Sequence, residues 1–436
     1  MKTAIRGATL TFVADPFLQD ADETMRYCQD ALLVMEDGVI VAHDQADRLL
    51  PALGPDTPVT HYPDALILPG FIDTHVHYAQ IEMVAAFGEQ LIDWLHRYTY
   101  VTEQRFSDPS YASEVAARFL DEQLRNGVTT ASVFCTVFPK SVDALFEAAA
   151  HRNMRMMAGK VCMDRNAPPE LLDSPERAYE ESRALIERWH GHGRAEYVIT
   201  PRFAPTSTVA QLEALGALAA AYPSVAIQSH LSENRDEVAW ISRLFPDCAN
   251  YTDVYRRYGL LRPRAIYGHG IHLAEDEYAM LAESGSALAH CPTSNFFLGS
   301  GCFNLRAAKR ADRPVAVGLA SDLGAGTSFS MLRTMGAAYQ AAQLSGFPLT
   351  APQAWYLATR GGAEALGLAH RVGSLALGME ADLVVLNLNP TPFIAYRMQH
   401  ARDLCEALFI LMTLGDDRAI SATWVAGRPA WQAAVS

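Results

Sequence analysis

The chain has 436 residues, and 35 Lys and Arg against 49 Asp and Glu give it a formal net charge of −14, which argues against binding to nucleic acid or to an anionic membrane surface. Half of the residues are hydrophobic and no apolar run reaches the ~18 residues that span a bilayer, so we expect a soluble, unexported protein with a large core and no membrane partner. Seven cysteines without a Cys-x-x-Cys pair predict the reduced thiols of a cytoplasmic protein, and neither a disulfide framework nor a cysteine zinc site.

Both ends of the chain are predicted to form β-strands. Near the start, Asp37-Gly38 separates two apolar runs and predicts a hairpin. Near the end, β-branched runs are interrupted by glycines in a similar way. We therefore assign residues 1–66 and 370–436 to one small β domain, and residues 67–369 to a second domain.

In the second domain, short apolar runs alternate with longer helical patterns, which is typical of βα units around a parallel sheet. One such helix is predicted between Asp108-Pro109, which can open it, and Gly127, which can close it. Eight strand candidates begin at Gly70, Val128, Arg155, Glu196, Val225, Ala265, Ala287 and Pro314. Eight strands alternating with helices predict an α/β fold, a TIM-like (β/α)₈ barrel.

Metal-ligating residue types stand where several of these strands end, which is where barrels carry their active sites. The first strand ends in His75-Val76-His77, and residues two apart on a strand share a face. His230 ends the fifth strand, and Asp322 follows the eighth by two residues. Three imidazoles and a carboxylate predict a zinc site with one position left for water.

A second His-x-His pair, His190-Gly191-His192, has the same spacing but follows a helical run and precedes a glycine. We interpret it as a helix terminus and a surface loop. His290, at the end of the seventh strand, either lines the pocket or packs in the core, and we favour packing.

Two further residues near the strand ends carry ionisable groups. Glu233 follows His230 by three residues, which suits a general acid and base, although a carboxylate at the start of a helix is the alternative explanation. Lys160 ends the third strand, where a carboxylated lysine would bridge two metals. We favour a single metal, with Lys160 contributing charge behind the ligands.

The segments PGFIDTHVHYAQ, HLSEN, GHGIHL and SDLGAG together resemble the amidohydrolase superfamily, which places a small β-sandwich beside a metal-bearing barrel. Over nearly the whole chain, the finer resemblance is to its guanine deaminase family, through the blocks at 88–99, 154–168, 199–207, 290–301 and 412–420. The resemblance implies a homodimeric hydrolase of purine catabolism with one Zn²⁺ per subunit, Fe²⁺ being the alternative. It would convert the free guanine base to xanthine and ammonia.

The same resemblance implies a role for each matching residue. Glu233 would be the proton shuttle, and His269, with Asp322, would hold the attacking water. The zinc ligands would be His75, His77, His230 and Asp322. The purine would be contacted by Gln80, Arg202 and Phe203 alongside His77, His230, Glu233 and Asp322. Without the resemblance, Arg202-Phe203 would be interpreted as a packed loop. The chain departs from the family pattern at Ala79 and at Gly268 or Gly270, and neither change removes a ligand.

The sequence leaves three other functions to compare with this one. The first is another deaminase or hydrolase of the superfamily, acting on a modified purine, a pterin or a triazine, which Gln80 and Arg202 separate only imperfectly from a guanine enzyme. The second is a non-catalytic scaffold with a decayed barrel, against which the complete ligand set and Glu233 argue. The third is a deaminase of bases within nucleic acid, which lacks support because the His-x-Glu and Pro-Cys-x-x-Cys signature is absent and the charge is acidic.

Overall fold

A computed structural model describes residues 2–87 and 91–434 of the chain, so the first three residues of the 88–99 block lie outside the described residues. The described part contains strands β1 (Lys2–Phe12), β2 (Met25–Glu36), β3 (Val39–Gln45), β4 (Val59–Pro69), β5 (Phe71–His77), β6 (Val128–Phe134), β7 (Arg155–Gly159), β8 (Val161–Cys162), β9 (Ala195–Pro201), β10 (Ala226–Leu231), β11 (Ala265–His269), β12 (Ala287–His290), β13 (Ala316–Leu319), β14 (Leu383–Asn387), β15 (Ile420–Val425) and β16 (Arg428–Gln432).

The α-helices of the described residues lie mainly between and after the barrel strands. They are α1 (Ala21–Thr24), α2 (Ala46–Leu49), α3 (Leu91–Trp94), α4 (Tyr100–Gln104), α5 (Pro109–Arg125), α6 (Pro139–His151), α7 (Pro175–Trp189), α8 (Val209–Ala221), α9 (Arg235–Leu244), α10 (Tyr251–Arg257), α11 (Glu275–Ser284), α12 (Pro292–Phe297), α13 (Leu305–Ala308), α14 (Met331–Leu344), α15 (Ala351–Leu357), α16 (Arg360–Ala365), α17 (Pro392–Met398) and α18 (Leu404–Leu414). None of the described helices is long and apolar enough to cross a membrane.

Strands from both ends of the chain form one sheet, in the order β16-β15-β14-β4-β1-β2-β3. Its central pairs join the two ends, because β4 pairs in parallel with β1 and antiparallel with β14. The predicted hairpin between β2 and β3 is confirmed: Asp37 and Gly38 have φ of 50° and 88°, as the two central residues of a type I′ turn require. The N- and C-terminal segments therefore build a separate sheet, while the domain boundaries at residues 66 and 370 stay predictions.

The eight predicted barrel strands are confirmed as parallel neighbours in the order β13-β12-β11-β10-β9-β7-β6-β5, with the short β8 added beside β9. The two end strands of this order, β5 and β13, are linked by a hydrogen bond from the Thr74 hydroxyl to the Leu319 carbonyl, 3.0 Å. Just beyond them, the Asp322 N–H donates to the His75 carbonyl at 2.9 Å. These contacts nearly close a TIM-like barrel at the point where two predicted metal ligands lie.

Local sequence signals explain why the helices begin and end where they do. The predicted helix after Asp108 is α5, whose first turn is capped by the Asp108 carboxylate accepting from the Ser110 N–H at 2.9 Å. It ends before Gly127, which has a positive φ of 78°. Apolar side chains close the barrel interior below the strand ends, and this core includes Ile72, Met157, Val198, Ile266, Leu366, Leu368 and Val372. The open end of the barrel is the opposite one, where the strands terminate.

Candidate active site

The side chains predicted to bind metal meet at the carboxyl ends of the barrel strands. His75 Nε2 and His77 Nε2 each lie 3.4 Å from Asp322 Oδ1, and His77 Nε2 lies 3.2 Å from His230 Nε2. Ligands around a tetrahedral zinc ion with bonds of ~2.0–2.1 Å stand roughly 3.3 Å apart. His75 Nε2 is buried and makes no hydrogen bond within the described residues. This donor set therefore fits a zinc ion.

The protonation of these imidazoles also suits metal binding. Burial lowers the pKa of His75, His77 and His230, which favours the neutral form that offers a lone pair. In His230 the tautomer is set by the Arg202 carbonyl, which lies 2.6 Å from Nδ1 and can only accept. The hydrogen of His230 is therefore on Nδ1, and its Nε2 lone pair points toward the other donors.

Asp73 holds the two ends of the ligand set together. Its carboxylate accepts from the Ser321 N–H at 2.9 Å and also from the Ser321 hydroxyl. Burial raises the pKa of Asp73 to about 7, and the two hydrogen bonds from Ser321 oppose that shift. Because Ser321 precedes Asp322 and Asp73 precedes the histidine pair, this contact fixes the first strand relative to the eighth. Ser321 is the first residue of the SDLGAG segment, but the sequence assigned it no role.

Cys291 is a further donor that sequence reasoning missed. Its sulfur lies in a group with His75, His269 and Asp322 whose ligand atoms are all within 4.8 Å of one another. Burial raises the pKa of this thiol, and its S–H points to the Ala289 carbonyl at 3.3 Å. A protonated thiol is a weak ligand, so the imidazoles and Asp322 are the better donors.

His269 faces the carboxylates of the site. Its Nε2 lies 3.4 Å from Glu233 Oε2 and 3.8 Å from Asp322 Oδ2, and its Nδ1 is 3.0 Å from Asn295 Oδ1. Burial alone would lower the pKa of His269, but Glu233 and Asp322 outweigh it and the pKa is raised. His269 can therefore hold a proton between two acceptors, with its ring oriented by Asn295, a residue of the 290–301 block to which the sequence assigned no role.

Glu233 lies between the end of β10 and the start of α9, with its side chain buried in the site. Ser300 donates to its Oε1 at 3.2 Å. Burial raises the pKa of Glu233 to about 7, with His269 opposing the shift. The helix-cap alternative applies to another residue, because the Glu237 carboxylate accepts from the N–H groups of Glu233 and Asn234 at 3.0 and 3.2 Å. Glu233 is thus left available for proton transfer near neutral pH.

The backbone is unusual at three of the strand ends that build this site. Ser232, His269 and Asp322 have φ of 50°, 71° and 47°, in the left-handed region that non-glycine residues rarely adopt. Such strain persists where the surrounding structure enforces it, and it clusters at functional sites. Nearby, a Cβ at Gly268 would lie 2.6 Å from His75 Cε1, so the glycine leaves room for that ring.

These groups open into one cavity, in which the space between the lining atoms amounts to about 410 Å³ when the part open to solvent is included. Gln80, Arg202 and Phe203, which the resemblance implied as purine contacts, line it together with Glu233 and His269. Its apolar wall consists of Leu91, Trp94, Leu95, Phe203, Leu298 and Ala325. The cavity therefore combines an apolar wall suited to a flat ring with a few convergent polar groups.

Glu103, on α4, joins the polar groups at one side of the cavity and was also missed. Its Oε1 accepts from Gln80 Nε2 at 3.1 Å, and its Oε2 accepts from Arg202 Nη1 at 2.7 Å. The Arg202 guanidinium lies 5.6 Å from the centre of the Tyr100 ring. Because the two partners are 23 and 99 residues away in sequence, no local pattern could connect them with Glu103.

The remaining candidates lie away from this cavity. Lys160 is buried, and its ammonium contacts the carboxylates of Asp173 and Glu181. His290 stacks on Phe303 with ring centres 4.7 Å apart, as expected for a packing role. The spacing match at 190–192 lies at the end of α7 and in the loop after it, as the sequence indicated.

Comparisons with known proteins point to one family. The model of the amidohydrolase family matches residues 66–430. Guanine deaminase of Escherichia coli is 48% identical over 410 residues, which cover 94% of this chain and 93% of that protein. The solved structure of E. coli guanine deaminase superposes with a TM-score of 0.96 over 99% of both chains, at 46% identity. A guanine deaminase from C. acetobutylicum, solved with guanine bound in its active site, superposes with a TM-score of 0.87 at 28% identity, over 98% of this chain and 100% of that chain.

Proposed function

The chain belongs to the amidohydrolase family, and on that basis we propose that it is a guanine deaminase, which hydrolyses free guanine to xanthine and ammonia. The observation that carries the proposal is the single cavity lined by metal donors, by the buried Glu233 and by the Gln80 and Arg202 side chains. Relatives named guanine deaminase cover nearly the full length of the chain and support the same reaction.

His75, His77, His230 and Asp322 would hold one Zn²⁺ per subunit, Fe²⁺ being the alternative. His77 lies 3.2 Å from His230 and 3.4 Å from Asp322, and His75 lies 3.4 Å from Asp322, separations close to those between ligands of a tetrahedral zinc ion. When bound, zinc supplies a hydroxide nucleophile near neutral pH, since it lowers the pKa of water from ~16 toward ~7. Every other step is the work of side chains of this chain.

Glu233 moves the protons. It accepts one from the water whose oxygen forms a bond to C2 of guanine, and it passes that proton to the adjacent ring nitrogen. Glu233 then carries the remaining hydrogen of the added oxygen to the exocyclic amino group. The C2–N bond breaks as the C2 carbonyl forms, and ammonia leaves while xanthine remains. A carboxyl whose pKa is about 7 suits both directions of transfer at neutral pH.

The other cavity residues orient the reactants. His269 and Asp322 face the position of the water, with the His269 ring held by Asn295. Arg202 donates to the carbonyl at the six position of the purine, Gln80 contacts the ring edge beside it, and Phe203 contributes to the apolar wall. His77 and His230 complete the surface against which the purine lies.

We extend the proposal to the setting of the enzyme. All seven cysteines are free, which supports a reducing compartment such as the cytoplasm. The family resemblance supports a homodimer, in which residues 1–66 and 370–436 form the small domain and residues 67–369 form the barrel. Sedimentation velocity of the purified protein measures the dimer directly, and a monomer at micromolar concentration would refute that part.

The reaction itself is tested with metal-quantified enzyme and ultraviolet absorbance. Guanine, 8-oxoguanine, pterin, cytosine and adenine are offered separately, and guanine is expected to have the highest kcat/KM, with xanthine as product. A modified purine or a pterin turned over in place of guanine would overturn the guanine proposal and favour another deaminase of the same superfamily.

A further inference from the structure

Glu103 is a buried carboxylate that no step of the reaction uses. It is 1% exposed, and its two hydrogen-bond partners, Gln80 and Arg202, are 2% and 3% exposed. Both partners line the cavity, whereas Glu103 lies behind them. A buried charge is costly unless it is paired and hydrogen-bonded, and here one carboxylate engages a cation with one oxygen and an amide with the other.

The chemistry of a carboxylate decides how the Gln80 amide is turned. An ionised carboxylate accepts hydrogen bonds and donates none, so the amide must direct its NH₂ group toward Glu103. The amide oxygen, Oε1, then points away from Glu103 and makes no hydrogen bond within the described residues. A Cβ at Gly324 would lie 2.2 Å from this oxygen, so the glycine leaves space for the orientation.

Arg202 is held in a complementary way. Its Nη1 donates to Glu103, while Nε and Nη2 make no hydrogen bond within the described residues. The side chain therefore offers donors beside the acceptor offered by Gln80. Because Glu103 and Arg202 neutralise each other, Arg202 and Gln80 can bind an uncharged ligand without leaving an unpaired buried charge.

We infer that Glu103 is a positioning residue that makes the pocket specific for a lactam edge, a ring C=O next to a ring N–H. The donors of Arg202 match the carbonyl oxygen, and Gln80 Oε1 matches the neighbouring N–H. Adenine presents the reverse pattern, an amino group next to a bare ring nitrogen, so donors would face donors and the acceptor would face an acceptor. The inference rests on the proposed function, because it assigns the purine to this side of the cavity.

The test compares two neutral purines that lack the amino group at C2, hypoxanthine with a lactam edge and adenine without one. Their dissociation constants are measured by calorimetry on zinc-loaded wild-type protein and on Glu103→Gln. The amide at position 103 can donate as well as accept, so it no longer dictates the orientation of Gln80. The preference for hypoxanthine over adenine should fall by about tenfold or more.

Two further variants separate this role from a structural one. Glu103→Asp keeps the charge but is one methylene shorter, so it cannot reach both partners. Its preference should fall by about threefold or more, and the loss of one buried hydrogen bond should cost about 1–3 kcal/mol of stability. Glu82→Gln removes an exposed carboxylate paired with Arg105 and should leave the preference unchanged. The Asp variant keeps the test decisive where Glu103→Gln does not fold.

Outcomes for the two proposals are distinct. A wild-type enzyme that does not deaminate guanine overturns the proposed function. The assignment of Glu103 is overturned if the wild type deaminates guanine but the variants at position 103 weaken the binding of both ligands equally, or change the binding of neither. A merely structural role would leave the ratio of the two dissociation constants unaltered.

Discussion

Replacing Glu233 with glutamine tests the proton-transfer step most directly. The amide has the same size and can still accept from Ser300, which donates to Oε1 at 3.2 Å, but it cannot carry a proton. Burial raises the pKa of Glu233 to about 7, so at pH 7 the acid and base forms are roughly equal. An ordinary glutamic acid would be only about 0.3% protonated at that pH.

The expected loss follows from this double role. General acid–base catalysis contributes roughly 10²- to 10⁴-fold, or about 3–5 kcal/mol of transition-state stabilisation. We therefore expect kcat of Glu233→Gln to fall by at least about 100-fold while zinc content stays at the wild-type value. The assay is conversion of guanine followed by ultraviolet absorbance, with zinc determined by mass spectrometry on the same preparation.

A buried glutamate outside the cavity provides the matched control. Glu277 caps α11 by accepting from the Ala274 N–H at 2.9 Å, and its other oxygen accepts from the Thr252 hydroxyl of α10 at 2.9 Å. Glu277→Gln should lower the Tm and leave kcat per folded enzyme within about twofold, because it alters a helix cap and no cavity group. A Glu233→Gln enzyme that retains more than about a tenth of wild-type kcat with full zinc would refute the proton-shuttle role, and one that loses its zinc would show that Glu233 supports the metal instead.

Four further predictions concern the metal, the ligand supports and the buried charges. Removing metal with a chelator should abolish activity and lower the Tm, and stoichiometric Zn²⁺ should restore both. The lost stability should be about 4 kcal/mol if zinc had been present at ~1,000 times its Kd. Activity that survives without metal would contradict the proposed metal site. Lys160→Met should destabilise the protein by about 3–5 kcal/mol in denaturant titrations, because the buried Asp173 loses its partner. Metal content and kcat per folded enzyme should stay unchanged, and a fall from two metals to one would favour the bridging lysine. Ser321→Ala removes a hydrogen-bond donor from Asp73, so it should cost about 1–3 kcal/mol of stability and weaken zinc binding by roughly tenfold in chelator competition. Ser294→Ala is the control and should be nearly neutral, because the buried Ser294 hydroxyl makes no hydrogen bond within the described residues. In metal-free protein, the stability advantage of Glu233→Gln over wild type should be larger at pH 8 than at pH 5 by roughly 2–3 kcal/mol. Folding raises the pKa of the Glu233 carboxyl from 4.5 to about 7, so the wild-type protein loses stability as pH rises through that interval. Equal advantages at the two pH values would contradict the burial argument.

The barrel and its candidate metal ligands could be predicted because their signals are local. Strands and helices follow from the periodicity of apolar residues over a few turns, and the eight predicted strands recur in the structure. His75, His77 and His230 stand at the ends of such strands, and the geometry of a barrel brings all strand ends to one face. Position along the chain was therefore enough to expect that they meet.

The residues that orient those ligands depend on the tertiary structure, because their partners are distant in sequence and the contacts run between different elements. Ser321 reaches Asp73 across 248 positions, and Asn295 reaches His269 across 26. Nothing in the segment around Glu103 distinguishes it from a surface glutamate, yet folding buries it between two cavity residues. The sequence by itself determined which groups could bind metal and move protons. Only the folded chain decided which oxygen and nitrogen atoms face the substrate, because hydrogen-bond direction is set by neighbours in space.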